Sequence, residues 1–287
     1  MDVMGKVGIV IVFGCVIGGF IMAGGAVPIL IQPAELVVIV GAAIGTLVIS
    51  SPGLMKKRVK HVLSMALKDT TPKKKDYLDL LKLLYELFTV ARRQGVLALE
   101  PHAAEPAKSD IFKKYPMVVK DEMYRTFLAE ALQAMANGVS ADDLEQLLDA
   151  ELDTWTACNH LAGGLLRTVS DALPGIGIVA AVLGVIVTMG HMNAPPAVIG
   201  HHVAAALVGT FLGILLSYGL VAPLITSTEI QEVHQRRYME CMKGAVIASL
   251  RGAAPATAVE FGRKVIFHDE RPSFNDTDKA LQSLKGG

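Results

Sequence analysis

Residues 172–228 read ALPGIGIVAAVLGVIVTMGHMNAPPAVIGHHVAAALVGTFLGILLSYGLVAPLITST. In a chain with 27 Lys and Arg and 27 Asp and Glu, this stretch contains none of the four. It divides into an apolar run from Leu173 to Gly190, a turn segment His191-Met192-Asn193-Ala194-Pro195-Pro196, and a second apolar run from about Val203 to Ile225. Each run is long enough to cross a hydrocarbon core of roughly 30 Å as a helix of about 20 residues. We read the pair as a membrane hairpin. A buried hairpin in a soluble domain is the alternative, and two such runs on so short a link would be unusual there.

The totals agree with a membrane protein. Of 287 residues, 52% are hydrophobic, 19% are charged and 27 are glycine, a composition suited to helices packed through small residues in lipid. The net charge is zero, so nothing in it points to nucleic acid. The distribution of Lys and Arg says more: one in residues 1–51, seventeen in 52–171, none in 172–228 and nine in 229–287. The cluster Lys56-Lys57-Arg58-Val59-Lys60 directly follows the second apolar stretch, and the two outer links carry no Lys or Arg. By the positive-inside rule both termini lie in the cytoplasm. Cys15, Cys158 and Cys241 lack metal-ligand spacing and are expected as free thiols. The amino-terminal Met1-Asp2-Val3-Met4-Gly5-Lys6 has no basic leader and no evident cleavage site, so a retained first helix is expected.

Outward from the hairpin, four segments are expected: membrane helices one and two in 1–51, a helical cytoplasmic domain in 52–171, membrane helices three and four in 172–228, and a helical tail with a loose end in 229–287. The fold class is all-α, polytopic, with four transmembrane helices. Val7 to Ile31 supplies the first, ending near Gly24-Gly25. Gln32-Pro33-Ala34-Glu35 turns into the second, with Pro33 suited to a first helical position, and Ser50-Ser51-Pro52-Gly53 stops it. Gly14 with Gly18, Gly41 with Gly45, and Gly209 with Gly213 are pairs that permit close helix approach. In the middle domain, Asp76 to Arg93 repeats Tyr77, Leu80, Leu81, Leu84, Leu87 and Phe88 at helical spacing, and Gly95 ends it. Prolines 101, 106 and 116 break the next segment, a helix follows over Lys120 to Ala136, and Ser140 with Asp142 and Asp143 opens another that can merge with the third membrane helix. Ala256 to Phe267 is a short helix, and His268 to Gly287 reads as a loose tail.

No phosphate loop, zinc site or nucleophile elbow occurs. The third and fourth membrane helices offer only Thr188, Thr210, Ser217 and Tyr218 as polar groups, and Glu35 lies near the outer boundary. Intramembrane carboxylates ordinarily mark proton paths, so a protein of this kind that moves protons needs a partner to bring the acid. Pro174 and Pro223, near the inner ends of helices three and four, can share one depth and loosen both helices. A purely structural role stands beside that reading, since proline is common in membrane helices. Thr210, flanked by Gly209 and Gly213, reads as part of a helix-association site with its hydroxyl bonded to its own helix backbone. His201 and His202 precede the fourth helix at the outer face and are too few to argue for a metal.

Several segments together carry a resemblance: Gln32-Pro33-Ala34-Glu35; Ala91-Arg92-Arg93-Gln94-Gly95 with Leu97-Ala98-Leu99-Glu100; Asp171 to Ala181; Tyr218 to Leu224; and Ala258-Val259-Glu260-Phe261-Gly262-Arg263-Lys264. Over almost its whole length the chain resembles the A subunit of the bacterial flagellar motor stator, the MotA family, related to PomA and more distantly to ExbB and TolQ. The resemblance implies an inner-membrane, multi-pass stator subunit, not an enzyme, without cofactor. Five copies would surround two copies of a single-span, peptidoglycan-binding B subunit of the MotB kind, whose aspartate carries the ion. It also implies Arg92 and Glu100, with Arg93 as a helper, at an interface with a rotor switch protein of the FliG kind, and Pro174 and Pro223 in coupling. Thr210 matches a threonine of the family's fourth helix. Ala181 stands where sodium-driven relatives carry a threonine, which favours the proton as coupling ion, although Thr210, backbone carbonyls or water remain open as sodium ligands. An ExbB or TolQ-like energiser and a non-conducting scaffold are the competing expectations.

Overall fold

The computed structural model describes residues 3–51 and 53–284; Met1, Asp2, Pro52 and the closing Lys285-Gly286-Gly287 lie outside the described residues. Among the described residues the elements are helices joined by turns, with no strand. Helix α1 (Val3–Met22) ends before Gly24, whose φ of +83° is a backbone that glycine adopts freely. A 3-10 turn, Val27–Leu30, leads to α2 (Pro33–Ser50), which begins on Pro33 as expected because a first-turn proline gives up a donor that has no helical partner. Then come α3 (Lys56–Leu67), α4 (Lys74–Gln94), α5 (Glu100–Ala104), α6 (Pro116–Lys120) and α7 (Glu122–Ala136). Helix α8 (Ala141–Met189) is 49 residues long, so the helix opened by Ser140 does merge with the third apolar run. Its start is fixed as the sequence indicates, with Ser140 Oγ accepting from the Asp143 amide at 3.1 Å. Helices α9 (Pro196–Leu216), α10 (Ala222–Leu250), α11 (Pro255–Val265) and α12 (Phe274–Ser283) complete the chain.

Among the described residues, four helices are long and apolar enough to cross a membrane: Met4–Met22, Val27–Ser50, and windows within Ala141–Met189 and Pro196–Leu250. The chain forms two compact units. One holds the residues up to Asp69 with Cys158–Gln231; the other holds Thr70–Ala157 with the residues from Glu232 onward. The unit limits therefore fall inside α8 and α10, each of which supplies residues to both.

In the second unit the core is the one that the helical spacing predicts. Tyr77, Leu80, Leu81, Leu84, Leu87 and Phe88 are all buried on α4, packed with Tyr124, Phe127 and Leu128 of α7 and with Tyr238, Met242 and Val246 of α10. At about 1.5–3 kcal/mol for each large apolar side chain taken from water, this cluster is what holds the unit together. Exposed ion pairs such as Arg251 with Asp142 and Glu145 add little by comparison.

Three expectations need correction. The tail is not loose over its described length: Ser273 Oγ accepts from the Asp276 amide and caps α12, whose Leu281 and Thr277 are buried. The helix expected from Lys120 starts at Glu122, because the Asp121 carboxylate accepts from the Met123 and Tyr124 amides and so serves as the cap. His201 and His202 lie inside α9 and do not precede it; His202 stacks on His191 of the preceding turn, ring centroids 5.1 Å apart. Helix α3, by contrast, is an element that the sequence does not single out within the helical segment expected over 52–171.

Candidate functional site

Within the first unit, α8 and α9 cross at a contact made by glycine. A methyl group on Gly177 would lie 2.7 Å from the Gly209 carbonyl oxygen, 3.1 Å from Gly213 Cα and 3.3 Å from Thr210 Cα. One on Gly213 would lie 2.7 Å from the Leu173 carbonyl oxygen, and one on Gly209 would be 3.2 Å from the Ala181 amide nitrogen. Backbone meets backbone here, which only missing side chains allow. Gly209 and Gly213 thus form the close-packing pair that the spacing indicated. Gly14, Gly18, Gly41 and Gly45 do not: nothing described lies within 4 Å of a methyl placed on any of them.

This crossing brings Ala181, Thr210 and the Pro174 turn together. Ala181 opposes Gly209, Thr210 opposes Gly177, and Leu173, next to Pro174, opposes Gly213. Thr210 Oγ1 has no hydrogen-bond partner among the described residues, whereas Thr188 Oγ1 donates to its own helix at the Gly184 carbonyl, 2.8 Å away. Pro223 does not join the group. Ser217 Oγ donates to the Ser170 carbonyl at 2.7 Å and lies 3.4 Å from Ser170 Oγ. With 170 against 217 and 173 against 213, Pro174 lies near the level of Gly213. Pro223 is ten residues farther along (223 minus 213), roughly 15 Å at the helical rise. The expectation of one shared depth is therefore corrected by the antiparallel register.

Pro223 instead follows a π-helical turn, Ser217–Val221, in which the Ala222 amide donates to the Ser217 carbonyl five residues back. Proline has no amide to keep the four-residue ladder going, and the wider turn accommodates the gap. The buried Ser217–Ser170 contact pins that turn to α8. In the sequence Ser217 is only one of four polar groups; its partner Ser170 lies 47 residues away, so the bond is visible only once the helices pair.

A second group escaped the sequence reading. The apolar stretch holds no acid of its own, but α2 lends one. Glu35 reaches into the hollow left by two glycines, its Oε2 2.5 Å from a methyl position on Gly209 and its Oε1 3.3 Å from one on Gly184. Glu35 Oε2 is buried and has no hydrogen-bond partner among the described residues. Glu35 is thus a feature of the helix crossing as well as of the outer turn. Gly184, absent from the sequence pairs, was the available signal.

In the second unit, Arg92 and Arg93 occupy the last turn of α4, which stops at Gly95 with φ +88°. A 3-10 turn, Val96–Leu99, buries Leu99 and delivers Glu100 as the first residue of α5. The broken geometry anticipated at Gly95 is what separates the charges onto two elements. All three are exposed, and none forms an ion pair among the described residues; Arg92 Nη1 donates to the Gly252 carbonyl at 3.4 Å. Exposed charges without an ion-pair partner among the described residues are available to an outside partner. In the same unit, the Glu260–Arg263 pair of the resembling segment is a brace. Arg263 donates Nε and Nη2 to the two Glu260 oxygens, each at 2.6 Å, and Nη1 to the Pro272 carbonyl at 2.9 Å. The Arg263 guanidinium holds the Glu260 carboxyl below the usual carboxylate range.

Comparison with known proteins matches this architecture along the chain. Residues 6–95 match the family described as motility protein A N-terminal, and residues 119–240 match the MotA/TolQ/ExbB proton channel family. The motility protein A of Escherichia coli strain K12 is 38% identical over 279 residues, covering 97% of this chain and 95% of that protein. The chain belongs to the motility protein A family. The fold of this family member is similar to that of solved relatives. A structure of C. jejuni MotAB superposes with TM-score 0.79 at 20% identity, covering 96% of this chain and all of that one. The flagellar MotAB stator complex of Bacillus subtilis gives 0.72 at 24%, covering 90% and 93%. Ala181, Thr210, Pro174 and Pro223 lie within the region matched to the proton channel family, and Arg92 and Arg93 within the motility region.

Proposed function

We propose that this motility protein A family member is the A subunit of a proton-driven flagellar stator in the bacterial inner membrane, with both termini in the cytoplasm. Its partner is a B subunit of the MotB kind, single-span and anchored to peptidoglycan, in a complex of five A and two B chains. The near full-length match to a motility protein carries the reading. The motility-specific match over residues 6–95 favours a motor over a TolQ or ExbB-like energiser, and the structural relatives are themselves MotAB assemblies. The clustering of Lys and Arg on one side of the spans supports the orientation.

The work follows from the cost of charge in an apolar passage. A partner aspartate facing α8 and α9 is costly while ionised and cheaper once a proton from outside neutralises it. Neutralisation changes how the partner helix packs against the crossing that carries Ala181 and the free Thr210 hydroxyl. Ala181 has no oxygen to offer a dehydrating sodium ion, which supports the proton. The Pro174 turn and the π turn before Pro223 permit local motion at two levels of the helix pair. Arg92, Arg93 and Glu100 pass the resulting displacement to complementary charges on a rotor protein of the FliG kind.

The test is swimming speed in a stator-deleted strain expressing this chain with its B subunit, with proton motive force and sodium varied independently. Speed is expected to follow proton motive force at any sodium level. Sodium dependence at constant proton motive force would overturn the ion assignment, and failure to restore swimming would overturn the stator assignment.

A further inference from the structure

The elbow between α2 and α3 has a surface that the stator reading leaves unused. Helix α3 is amphipathic in two senses. One face, Val59 and Val62, is buried against Ala162, Leu165 and Leu166 of α8, and the Met65 carbonyl accepts from Gln231 Nε2 at 3.1 Å. The face bearing Lys57, Lys60, Leu63 and Leu67, spaced by three, three and four residues, is exposed, with Leu63 51% and Leu67 63% accessible. Lys57 and Lys60 form no ion pair among the described residues. From Leu36 to Lys68 the sequence has five Lys and Arg and no Asp or Glu. Between that face and the end of α2 lies a groove of about 340 Å³ lined by Leu47, Val48, Ser51, Val59, Lys60 and Leu63.

We propose that this groove binds one anionic phospholipid of the adjoining leaflet, an acyl chain lying along Leu47, Val48, Val59 and Leu63 and the phosphate held by Lys60 and Lys57. Two observations select this occupant. The groove is continuous with bilayer-facing surface: Val37, Val40, Ile44 and Val48 are exposed at helical spacing along the spanning helix α2, and the last of them forms the groove wall. The rim is basic, with no Asp or Glu from Leu36 to Lys68 and no ion pair at Lys57 or Lys60 among the described residues, and a basic segment beside the end of a spanning helix attracts anionic lipid with about 1 kcal/mol for each Lys or Arg. A water-soluble anion would satisfy the lysines but leave the apolar wall uncovered; a neutral lipid would do the reverse.

The test is native mass spectrometry of the full chain with its B subunit in detergent. It is titrated with dioleoyl phosphatidylglycerol, dioleoyl phosphatidylcholine, or glycerophosphoglycerol, the same headgroup without chains. Phosphatidylglycerol is expected to bind more tightly than phosphatidylcholine. K57Q and K60Q should each weaken it about five-fold, and the double variant about twenty-five-fold, with phosphatidylcholine unchanged. L63Q should weaken both lipids, and glycerophosphoglycerol should not compete. Equal binding of the two lipids, or lysine variants that bind phosphatidylglycerol like the parent, would overturn the proposal. Full competition by the soluble headgroup would also overturn it, leaving a bare phosphate site. These side chains are exposed, and unchanged helical circular dichroism checks the variants. The readout is lipid retention and not torque, so it stands apart from the stator assignment.

Discussion

Replacing Gly177 with alanine, and Gly175 with alanine as its control, isolates the contact on which the membrane unit depends. Both residues lie in α8, two positions apart, and both gain the same intrinsic helix propensity, about 1 kcal/mol. They differ only in what the new methyl meets. At Gly175 nothing described lies within 4 Å of the methyl; at Gly177 the methyl is 2.7 Å from Gly209 O, with Gly213 Cα and Thr210 Cα close behind. Ordinary contact begins at 3.4 Å, so that pair falls short by 0.7 Å (3.4 minus 2.7) and the backbone there must shift. All three obstructing atoms belong to the backbone, and no rotamer change can relieve them. Overpacking of this kind costs about 1–3 kcal/mol. The propensity gain cancels in the comparison, so G177A is expected to be less stable than G175A by that amount. Reversible unfolding of the purified chain in mixed micelles, followed by far-ultraviolet circular dichroism, measures the difference. Equal stability within about 0.3 kcal/mol would refute the backbone crossing.

Charge reversal at the exposed corner, R92E or E100K, should leave stability within about 0.5 kcal/mol of the parent while reducing torque in tethered-cell rotation; loss of folded protein instead would assign these residues to structure. S217A removes a buried bond to the Ser170 carbonyl and should destabilise the chain by about 1–2 kcal/mol in the same micelle assay. P223A returns an amide to the ladder, so it should preserve co-purification with the B subunit but lower torque; unchanged torque would remove the π turn from the mechanism. E260Q leaves the Arg263 charge, only 5% exposed, without its counter-ion. Allowing for the partial exposure of Glu260, the cost is about 2 kcal/mol. Because the folded-state carboxyl titrates below its ordinary 4.5, its contribution is complete above that pH and disappears as pH falls through the lowered value. Acid titration of stability should therefore be shallower below pH 4.5 in E260Q than in the parent, and identical slopes would remove the linkage.

The sequence by itself determined that the chain is helical and crosses a membrane, because an apolar run without charge and a 3.6-residue repeat are properties of contiguous residues. Gly95 announces the end of the helix that carries Arg92 and Arg93, since a positive φ favours glycine; an interface role for those two and Glu100 is implied by the family resemblance alone, and their exposure is read from the structure. It also allowed Gly209 and Gly213 to be read as a close-approach pair, but the identical spacing at Gly14, Gly18, Gly41 and Gly45 meets nothing among the described residues. Whether a small residue is a contact depends on what lies opposite, and the local pattern holds no such information. The same reason explains the carboxylate of Glu35 between Gly184 and Gly209, the bond from Ser217 to Ser170, and the unequal levels of Pro174 and Pro223. Each is a relation between residues far apart in sequence, decided by the antiparallel register of α8 and α9 and by the side of that pair to which α2 packs. Register comes from the fit of one helix surface into another, and only the folded chain has two surfaces to fit.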